Sequence, residues 1–260
     1  MSSKFWTSTK HKRLPIKYQN LNNSIVIGTR LYVIGGCETT TTNNVGCLDL
    51  VGFNWLGMPS MRKTQGCRNQ MTNLNGNLCV FGGLCDCSIE DSLEIFDFST
   101  CEWYNIELLY TPSKDSRIIG HNGILYLFDF VNGLLQCYDS DSNEWSCKVI
   151  EQIQLKNFSL AGIGEFLYII GGERDYDPVN NVMRYDISKN RMSEVRSLTN
   201  ARSAVNSVIF RNKIVIFGGF PCWKLIEEYN PDIDSWKELN PISMNGNSDS
   251  ILCTLPSFIK

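Results

Sequence analysis

The sequence predicts an all-β protein built from repeats of a four-stranded unit, and three observations lead to this. Short apolar runs that end in two glycines recur along the chain. After each comes a strand-like run that ends in an aromatic residue or Leu and then Asp or Asn, with a Trp about six residues later. The glycine position recurs at residues 35, 82, about 129, 171 and 218, in steps of 47, 47, 42 and 47 residues. A fixed period of this length indicates copies of one supersecondary unit.

The glycine-terminated run is the second strand of each unit, which we name strand b. It is LYVIGG, LCVFGG, LYIIGG and IVIFGG in four copies, and LYLFDF in the degenerate third copy. A short continuous apolar run is typical of a strand that is buried on both faces. Glycine adopts positive φ and lets a backbone or a ring approach closely. The glycine pairs are Gly35 and Gly36, Gly82 and Gly83, Gly171 and Gly172, and Gly218 and Gly219.

The other three strands follow from their spacing around strand b. Strand a precedes it, and Asn75–Gly76 and Asn122–Gly123 mark the a–b turns as tight hairpins. Strand c follows it, and strand d carries the Trp. Four antiparallel strands per unit predict the blades of a β-propeller, whereas a β-sandwich does not explain a Trp and a glycine pair that recur in register. Strand c ends at Leu48, Phe96, Tyr138, Tyr185 and Tyr229, and strand d carries Trp55, Trp103, Trp145, Met192 and Trp236.

The combination of Gly-Gly, Tyr-Asp and Trp resembles the Kelch repeat from Phe5 to about Leu255. The resemblance implies that strand a is innermost and strand d outermost, and that the Trp packs over the glycine pair. The third copy has Asp129 and Phe130 in place of the glycines, so we expect a local distortion there. We expect one domain over residues 1–260, with repeats at roughly 24–57, 68–106, 116–148, 159–195 and 203–239.

The ends of the chain match parts of one more blade. Residues 4–8 match a strand d and residues 250–255 match a strand a. We therefore expect five complete blades and an incomplete sixth, as in a C-terminal Kelch domain of a BTB-Kelch protein that has been truncated. The chain also looks like the Kelch-like fragments of poxviruses. The alternative is a five-bladed ring with frayed tails.

Composition gives no reason to expect nucleic-acid or membrane binding. The net charge is −3, and no apolar run approaches the roughly 20 residues that span a bilayer. The 11 cysteines are odd in number and follow no disulfide framework, and the basic N-terminus has no apolar core. We expect reduced thiols in a cytoplasmic protein.

No catalytic or metal-binding constellation emerges from the sequence. The chain has two histidines, too few for the copper centre of the Kelch-fold galactose oxidases, and a Ser-His-Asp triad or a phosphate loop is not found either. The Cys85-Asp-Cys87 motif is a weak zinc signal, and ordinary thiols are favoured. We expect no enzyme activity, no cofactor and no metal site.

The resemblance implies that partners dock on the b–c and d–a loops. The b–c loops carry two aromatic residues with no place in a core strand, Tyr176 and Trp223, and aromatic side chains are common interface anchors. A positive cluster in the d–a loops would suit an acidic peptide, although acidic residues in the b–c loops oppose it. Replacing Arg62 and Arg202 with Ala should then weaken partner capture without lowering the melting temperature. The d–a cations are Arg62, Lys63, Lys114, Arg117, Lys156 and Arg202.

The sequence therefore predicts a non-enzymatic protein-interaction module. By resemblance, a Kelch domain is the substrate-recognition half of a cullin-type ubiquitin ligase adaptor, whose BTB and BACK regions contact the cullin. No such region is recognised here, so we expect competition with full-length adaptors and no direct cullin binding. An actin-binding scaffold is the alternative, and an enzyme on the same fold comes third.

Overall fold

The computed structural model describes residues 23–34, 43–63, 69–82, 84–85, 88–89 and 92–239. Within these residues the regular elements are all β-strands, as predicted. The chain divides into two compact units, whose described residues lie before and after the boundary between Leu155 and Lys156. We call them the N-terminal unit and the C-terminal unit. None of the described residues forms a helix long and apolar enough to cross a membrane.

The described residues of the N-terminal unit form three four-stranded antiparallel sheets and one short hairpin. The sheets have the orders β1-β2-β3-β4, β5-β6-β9-β10 and β11-β12-β13-β14, so each unit of sequence forms its own sheet. The strands are β1 (Asn23–Ile27), β2 (Arg30–Ile34), β3 (Val45–Asp49), β4 (Trp55–Leu56), β5 (Gln70–Leu74), β6 (Asn77–Phe81), β7 (Leu84–Cys85), β8 (Ser88–Ile89), β9 (Leu93–Asp97), β10 (Glu102–Ile106), β11 (Arg117–His121), β12 (Ile124–Asp129), β13 (Leu134–Asp139) and β14 (Glu144–Val149).

The described residues of the C-terminal unit form two more sheets of the same kind, β15-β16-β19-β20 and β21-β22-β23-β24. The short hairpin β17-β18 extends the connection between the second and third strands of the fourth sheet. The strands are β15 (Ser159–Ile163), β16 (Phe166–Ile170), β17 (Glu173–Arg174), β18 (Asp177–Pro178), β19 (Val182–Asp186), β20 (Arg191–Val195), β21 (Asn206–Phe210), β22 (Lys213–Phe217), β23 (Ile226–Asn230) and β24 (Ser235–Leu239).

The predicted class, an all-β Kelch propeller with five complete four-stranded blades, is confirmed in these sheets. The apolar runs form the central b strands, and their side chains are buried on both faces, as at Leu78–Phe81 and Ile214–Phe217. The expected parts of a sixth blade, residues 4–8 and 250–255, lie outside the described residues.

The aromatic-Asp pairs close the c–d turns. In the third sheet the Asp139 carboxylate accepts the backbone N–H of Asp141 at 2.9 Å, and Asp186 does the same for Lys189 at 3.0 Å in the fourth. The Tyr hydroxyl donates to the side chain five residues later, as from Tyr229 to Asp234 at 2.8 Å. Such local side-chain bonds to the backbone favour turns, which explains why the pair recurs.

The Trp packs against the aromatic residue of strand c and not over the glycines. The rings of Tyr229 and Trp236 lie 5.0 Å apart, and Met192 holds the corresponding position opposite Tyr185. At Gly171, an added Cβ would lie 2.4 Å from the carbonyl oxygen of Arg202. In the fifth sheet, which has a Trp in strand d, the nearest atoms to an added Cβ belong to Trp223 at Gly218 and to Val205 and Ser203 at Gly219, and not to Trp236. The family-based expectation is thus corrected for this sheet.

The third sheet is regular despite its missing glycines, so the expected distortion is not observed. Strands β12, β13 and β14 pair over six residues each. Asp129, in the place of the first glycine, is buried, and its carboxylate accepts hydrogen bonds from the backbone and hydroxyl of Ser113, both at 2.7 Å, and from the amide of Asn132 at 2.8 Å. A side chain here replaces the close backbone approach that glycine permits elsewhere.

Candidate partner-binding loops

The b–c and d–a connections lie at the same edge of each antiparallel sheet, and we call this the loop edge. The a–b and c–d turns lie at the other, which we call the turn edge. The b–c connections differ in length: β12 and β13 are joined by residues 130–133 alone, whereas the fourth sheet uses residues 171–181, including its hairpin. The third sheet therefore offers no protruding b–c loop.

A buried polar residue in strand c holds the d–a loop at the loop edge of three sheets. It lies two residues before the aromatic residue that ends the strand. In the second sheet the Glu94 carboxylate accepts the backbone N–H groups of Arg62 and Lys63 at 2.8 and 3.0 Å. In the third, the amide of Gln136 both accepts from the Tyr110 N–H and donates to its carbonyl, each at 2.9 Å. These bonds fix the loop backbones.

In the fifth sheet the equivalent residue is Glu227, and it forms an ion pair with Arg202. Both side chains are fully buried. The guanidinium also donates to the carbonyl groups of Gly218 and Leu225, at 3.1 and 3.3 Å. Burial lowers the pKa of Arg202, and the carboxylate of Glu227 opposes this shift. The pair fastens the d–a loop to the b–c loop of its own sheet.

The position of Arg202 differs from the sequence-based expectation of a partner-contacting cation. Its side chain is 0% exposed, and its charge is matched by Glu227 within the unit. A side chain so placed does not reach a partner at the surface. Its replacement by Ala should lower the melting temperature, contrary to the expectation from sequence.

Aromatic side chains are exposed on the b–c loops of the C-terminal unit. Tyr176, at the tip of the β17-β18 hairpin, is 88% exposed, and Trp223 is 55% exposed. Phe220, which the sequence analysis did not single out, is 50% exposed, and its ring lies 5.9 Å from that of Trp223. We call these three residues the aromatic loop set. The ammonium of Lys156 lies 5.9 Å from the centroid of the Tyr176 ring.

The d–a loop of the fifth sheet links the two loops that carry this set. The N–H of Arg202 donates to the carbonyl of Val179 in the b–c loop of the fourth sheet, at 3.0 Å. Ser203 and Phe220 exchange two backbone bonds, at 3.0 and 2.9 Å. The exposed rings therefore stand on loops whose backbones are hydrogen-bonded to one another.

The remaining predicted cations lie in the N-terminal unit. Arg62 and Lys63 are exposed beside each other, Lys114 is exposed, and Arg117 is half-buried, with a guanidinium bond of 3.0 Å to the carbonyl of Ser116. Sequence reasoning missed the exposed Leu109 and Tyr110 in the same unit. It also missed the buried polar residues of strand c that hold the d–a loops, namely Glu94, Gln136 and Glu227, which we call the strand c clamps. The signal for the clamps was a polar residue at a fixed position in an otherwise apolar strand.

The described residues contain no group of three or more His, Cys, Asp or Glu side chains that could hold a metal ion. Of the two halves of the Cys85-Asp-Cys87 motif, Cys87 lies outside the described residues. His121 is half-buried at the end of β11.

The chain is similar in sequence to several Kelch-like proteins. It is 23% identical to Kelch-like protein 25 of Xenopus tropicalis in an alignment of 241 residues that covers 85% of this chain and 40% of that protein. It is also 23% identical to Kelch-like protein 23 of Homo sapiens in an alignment of 249 residues that covers 87% of this chain and 42% of that protein. The chain thus spans about two fifths of the length of these relatives. No protein-family model matches it.

Solved structures share the fold at low sequence identity. The structure of YjhT has a TM-score of 0.67 and 13% identity, and the match covers 85% of this chain and 83% of that one. A fungal alcohol oxidase of the AA5 family in complex with copper has a TM-score of 0.62 and 15% identity, covering 84% of this chain and 52% of that one. Similarity at these identities concerns the fold alone. Taken with the repeats and the sheets, these relatives show that the chain is a Kelch-repeat domain that resembles those of the Kelch-like proteins.

Proposed function

We propose that this chain is a non-enzymatic protein-interaction module that binds a protein partner through its loop edge. The observation that carries the proposal is the aromatic loop set, Tyr176, Phe220 and Trp223. Large aromatic side chains that are at least half exposed on loops contribute little to a core, and they are among the residue types that most often anchor interfaces.

The way these rings are supported favours the same function. The set stands on loops that are bonded to the d–a segment at Arg202 and Ser203, and the buried pair with Glu227 fixes that segment. A loop that is already ordered loses less conformational entropy on binding than a free one. The rings are therefore presented at low entropic cost.

The test removes the rings and leaves their support in place. The double variant Tyr176→Ala with Trp223→Ala should lose partner capture in a co-precipitation from cell extract, at an unchanged melting temperature. Ile233→Ala is the matched control, because Ile233 is 69% exposed on the turn edge of the same unit. If the double variant captures the same proteins as the control, the loop edge of the C-terminal unit is not the binding surface.

As a finer proposal, the chain competes with a full-length Kelch-like adaptor of a cullin-based ubiquitin ligase for the adaptor's partner. The similarity to two Kelch-like proteins over 85% and 87% of this chain supports this. Added in excess, the purified chain should reduce partner ubiquitination by the adaptor without binding the cullin itself. Co-sedimentation with actin filaments, and no competition, would favour the cytoskeletal alternative.

A preference for an acidic partner segment remains part of the proposal, with a smaller set of cations. Arg62, Lys63 and Lys114 support it in the N-terminal unit and Lys156 in the C-terminal unit, whereas Arg202 is already neutralised by Glu227. Capture that weakens steeply with added salt would agree with it, because exposed charges are screened. We also propose a cytoplasmic location. Among the described residues, six cysteines with free thiols support it: Cys47, Cys79, Cys101, Cys137, Cys147 and Cys222.

A further inference from the structure

A cavity of about 450 Å³ lies between the fourth and fifth sheets of the C-terminal unit, at their turn edge. We call it the turn-edge cavity. The fourth sheet supplies Glu165, Phe166 and Arg184 to its lining, and the fifth supplies Asp232. Pockets of a few hundred Å³ are of the size that proteins use for small ligands or for a few residues of a peptide. It lies at the opposite end of the strands from the loop edge.

Arg184 is the cationic centre of this cavity. The carbon of its guanidinium lies 4.4 Å from the centroid of the Phe166 ring, which is a cation–π contact that fixes the plane of the group. Its Nε is buried and donates no hydrogen bond. Within the described part of the chain, no carboxylate lies within 4 Å of its nitrogens. A guanidinium held in this way can donate two hydrogen bonds from its terminal NH2 groups to the carboxylate of a bound ligand.

Two acidic residues of the lining also have no cation at salt-bridge distance among the described residues. These are Glu165 and Asp232, whereas Asp186 is paired with Lys189 at 3.1 Å. Three carboxylates around the cavity would repel a doubly charged phosphate. The Arg184 guanidinium also interacts with the Tyr168 side chain and with the charge of Asp234, but it has no carboxylate at salt-bridge distance among the described residues. Together with the exposed carboxylates of Glu165 and Asp232, it complements a ligand that carries both signs of charge.

We propose that the turn-edge cavity binds a peptide segment in which an acidic side chain is next to a basic one. The acidic side chain pairs with the Arg184 guanidinium, and the basic one pairs with the carboxylates of Asp232 and Glu165. Phe166 supplies the apolar surface for the methylene groups of both. This site is separate from the loop edge, so it does not depend on the proposed function.

The experiment titrates the whole chain with three blocked dipeptides and follows the backbone amide signals of Gly164 and Ser188, which line the cavity. The probes are N-acetyl-Glu-Lys-amide, N-acetyl-Gln-Lys-amide and N-acetyl-Glu-Gln-amide. The Glu-Lys probe should bind saturably, and the Gln-Lys probe at least about tenfold more weakly, because one charge-assisted pair is lost. If the Gln-Lys probe binds as tightly, or no probe shifts these signals saturably, the proposal is overturned.

Substitutions in the cavity then test which residue binds the acidic side chain of the probe and which binds the basic one. Arg184→Gln should weaken binding of the Glu-Lys probe by about tenfold or more, while Arg191→Gln should bind it like the unchanged chain, because Arg191 is exposed on strand β20 and does not line the cavity. Arg184→Lys keeps the positive charge but lacks the planar guanidinium that binds a carboxylate through two hydrogen bonds, so it should bind the Glu-Lys probe with intermediate affinity. Asp232→Asn should weaken the Glu-Lys probe and leave the Glu-Gln probe unchanged. Equal affinity in the Arg184→Gln and Arg191→Gln variants would contradict the assignment.

Discussion

Replacing Arg202 should lower the free energy of unfolding far more than replacing any of the exposed cations. The Arg202→Ala variant leaves the carboxylate of Glu227 buried without its ionic partner, and the carbonyls of Gly218 and Leu225 lose their donors. Leaving a buried charge unpaired typically costs about 3–5 kcal/mol of the free energy of unfolding. At about 2–4 °C for each kcal/mol in a chain of this size, the melting temperature should fall by about 6–20 °C.

A double-mutant cycle separates the cost of an unpaired charge from the value of the pair. Arg202→Met and Glu227→Leu each leave one buried charge alone, so each single variant should be strongly destabilised. The double variant removes both charges and should be more stable than either single one, since an apolar pair of similar volume can replace a buried ion pair. Urea unfolding followed by tryptophan fluorescence gives the four free energies.

Arg62→Ala is the matched control for this experiment. Arg62 is exposed, and Glu94 binds its backbone N–H and not its side chain, so the loop clamp survives the substitution. Its melting temperature should change by no more than about 1–2 °C, since surface substitutions usually alter stability by less than about 0.5 kcal/mol. The reasoning is refuted if Arg202→Ala is as stable as this control, or if the double variant is destabilised by the sum of the two single effects.

Three further predictions concern other parts of the molecule. Gly171→Ala should lower the melting temperature more than Gly164→Ala: both residues have positive φ, but only at Gly171 would the new Cβ meet a carbonyl oxygen, at 2.4 Å. In the native protein, iodoacetamide should label Cys101, which is exposed, and spare Cys79, which is buried and has a raised thiol pKa, as measured by peptide mass spectrometry. Burial raises the pKa of Tyr32 to about 12. The folded state therefore keeps that proton longer than the unfolded chain, whose tyrosine pKa is about 10, and the free energy of unfolding should fall from about pH 10 to pH 12. Tyr32→Phe should flatten this slope.

The repeated elements of the fold could be predicted because each one is a local pattern. The apolar runs fix strand b, the Asn-Gly pairs at Asn75 and Asn122 fix two a–b turns through their positive φ values, and the aromatic-Asp pair fixes the c–d turn. Each pattern lies within a few residues of the structure that it specifies. Five copies in register then made the strand order of every sheet predictable.

The contacts between repeats were not predictable in the same way. Arg202 matches the recurrent Arg of a d–a loop, but its burial depends on Glu227, which is 25 residues away. Glu94 and Gln136 likewise act on loops that precede their own strands by about 30 residues. The sequence shows that these residues are polar in an apolar strand, but not which loop faces them, because that requires the folded arrangement of the sheet and the d–a loop that leads into it.

The third sheet shows how the same loop edge is built when the glycines are lost. In the fourth sheet, Gly171 lets the backbone of the following d–a loop approach strand b by leaving out a side chain. Asp129 instead adds one, and its carboxylate binds the backbone and hydroxyl of Ser113 in the preceding d–a loop. The strand continues into a turn of four residues, so this sheet gains a clamp and loses a protruding b–c loop. Loss of the repeat motif therefore leaves the sheet intact but removes one surface on which a partner could be bound.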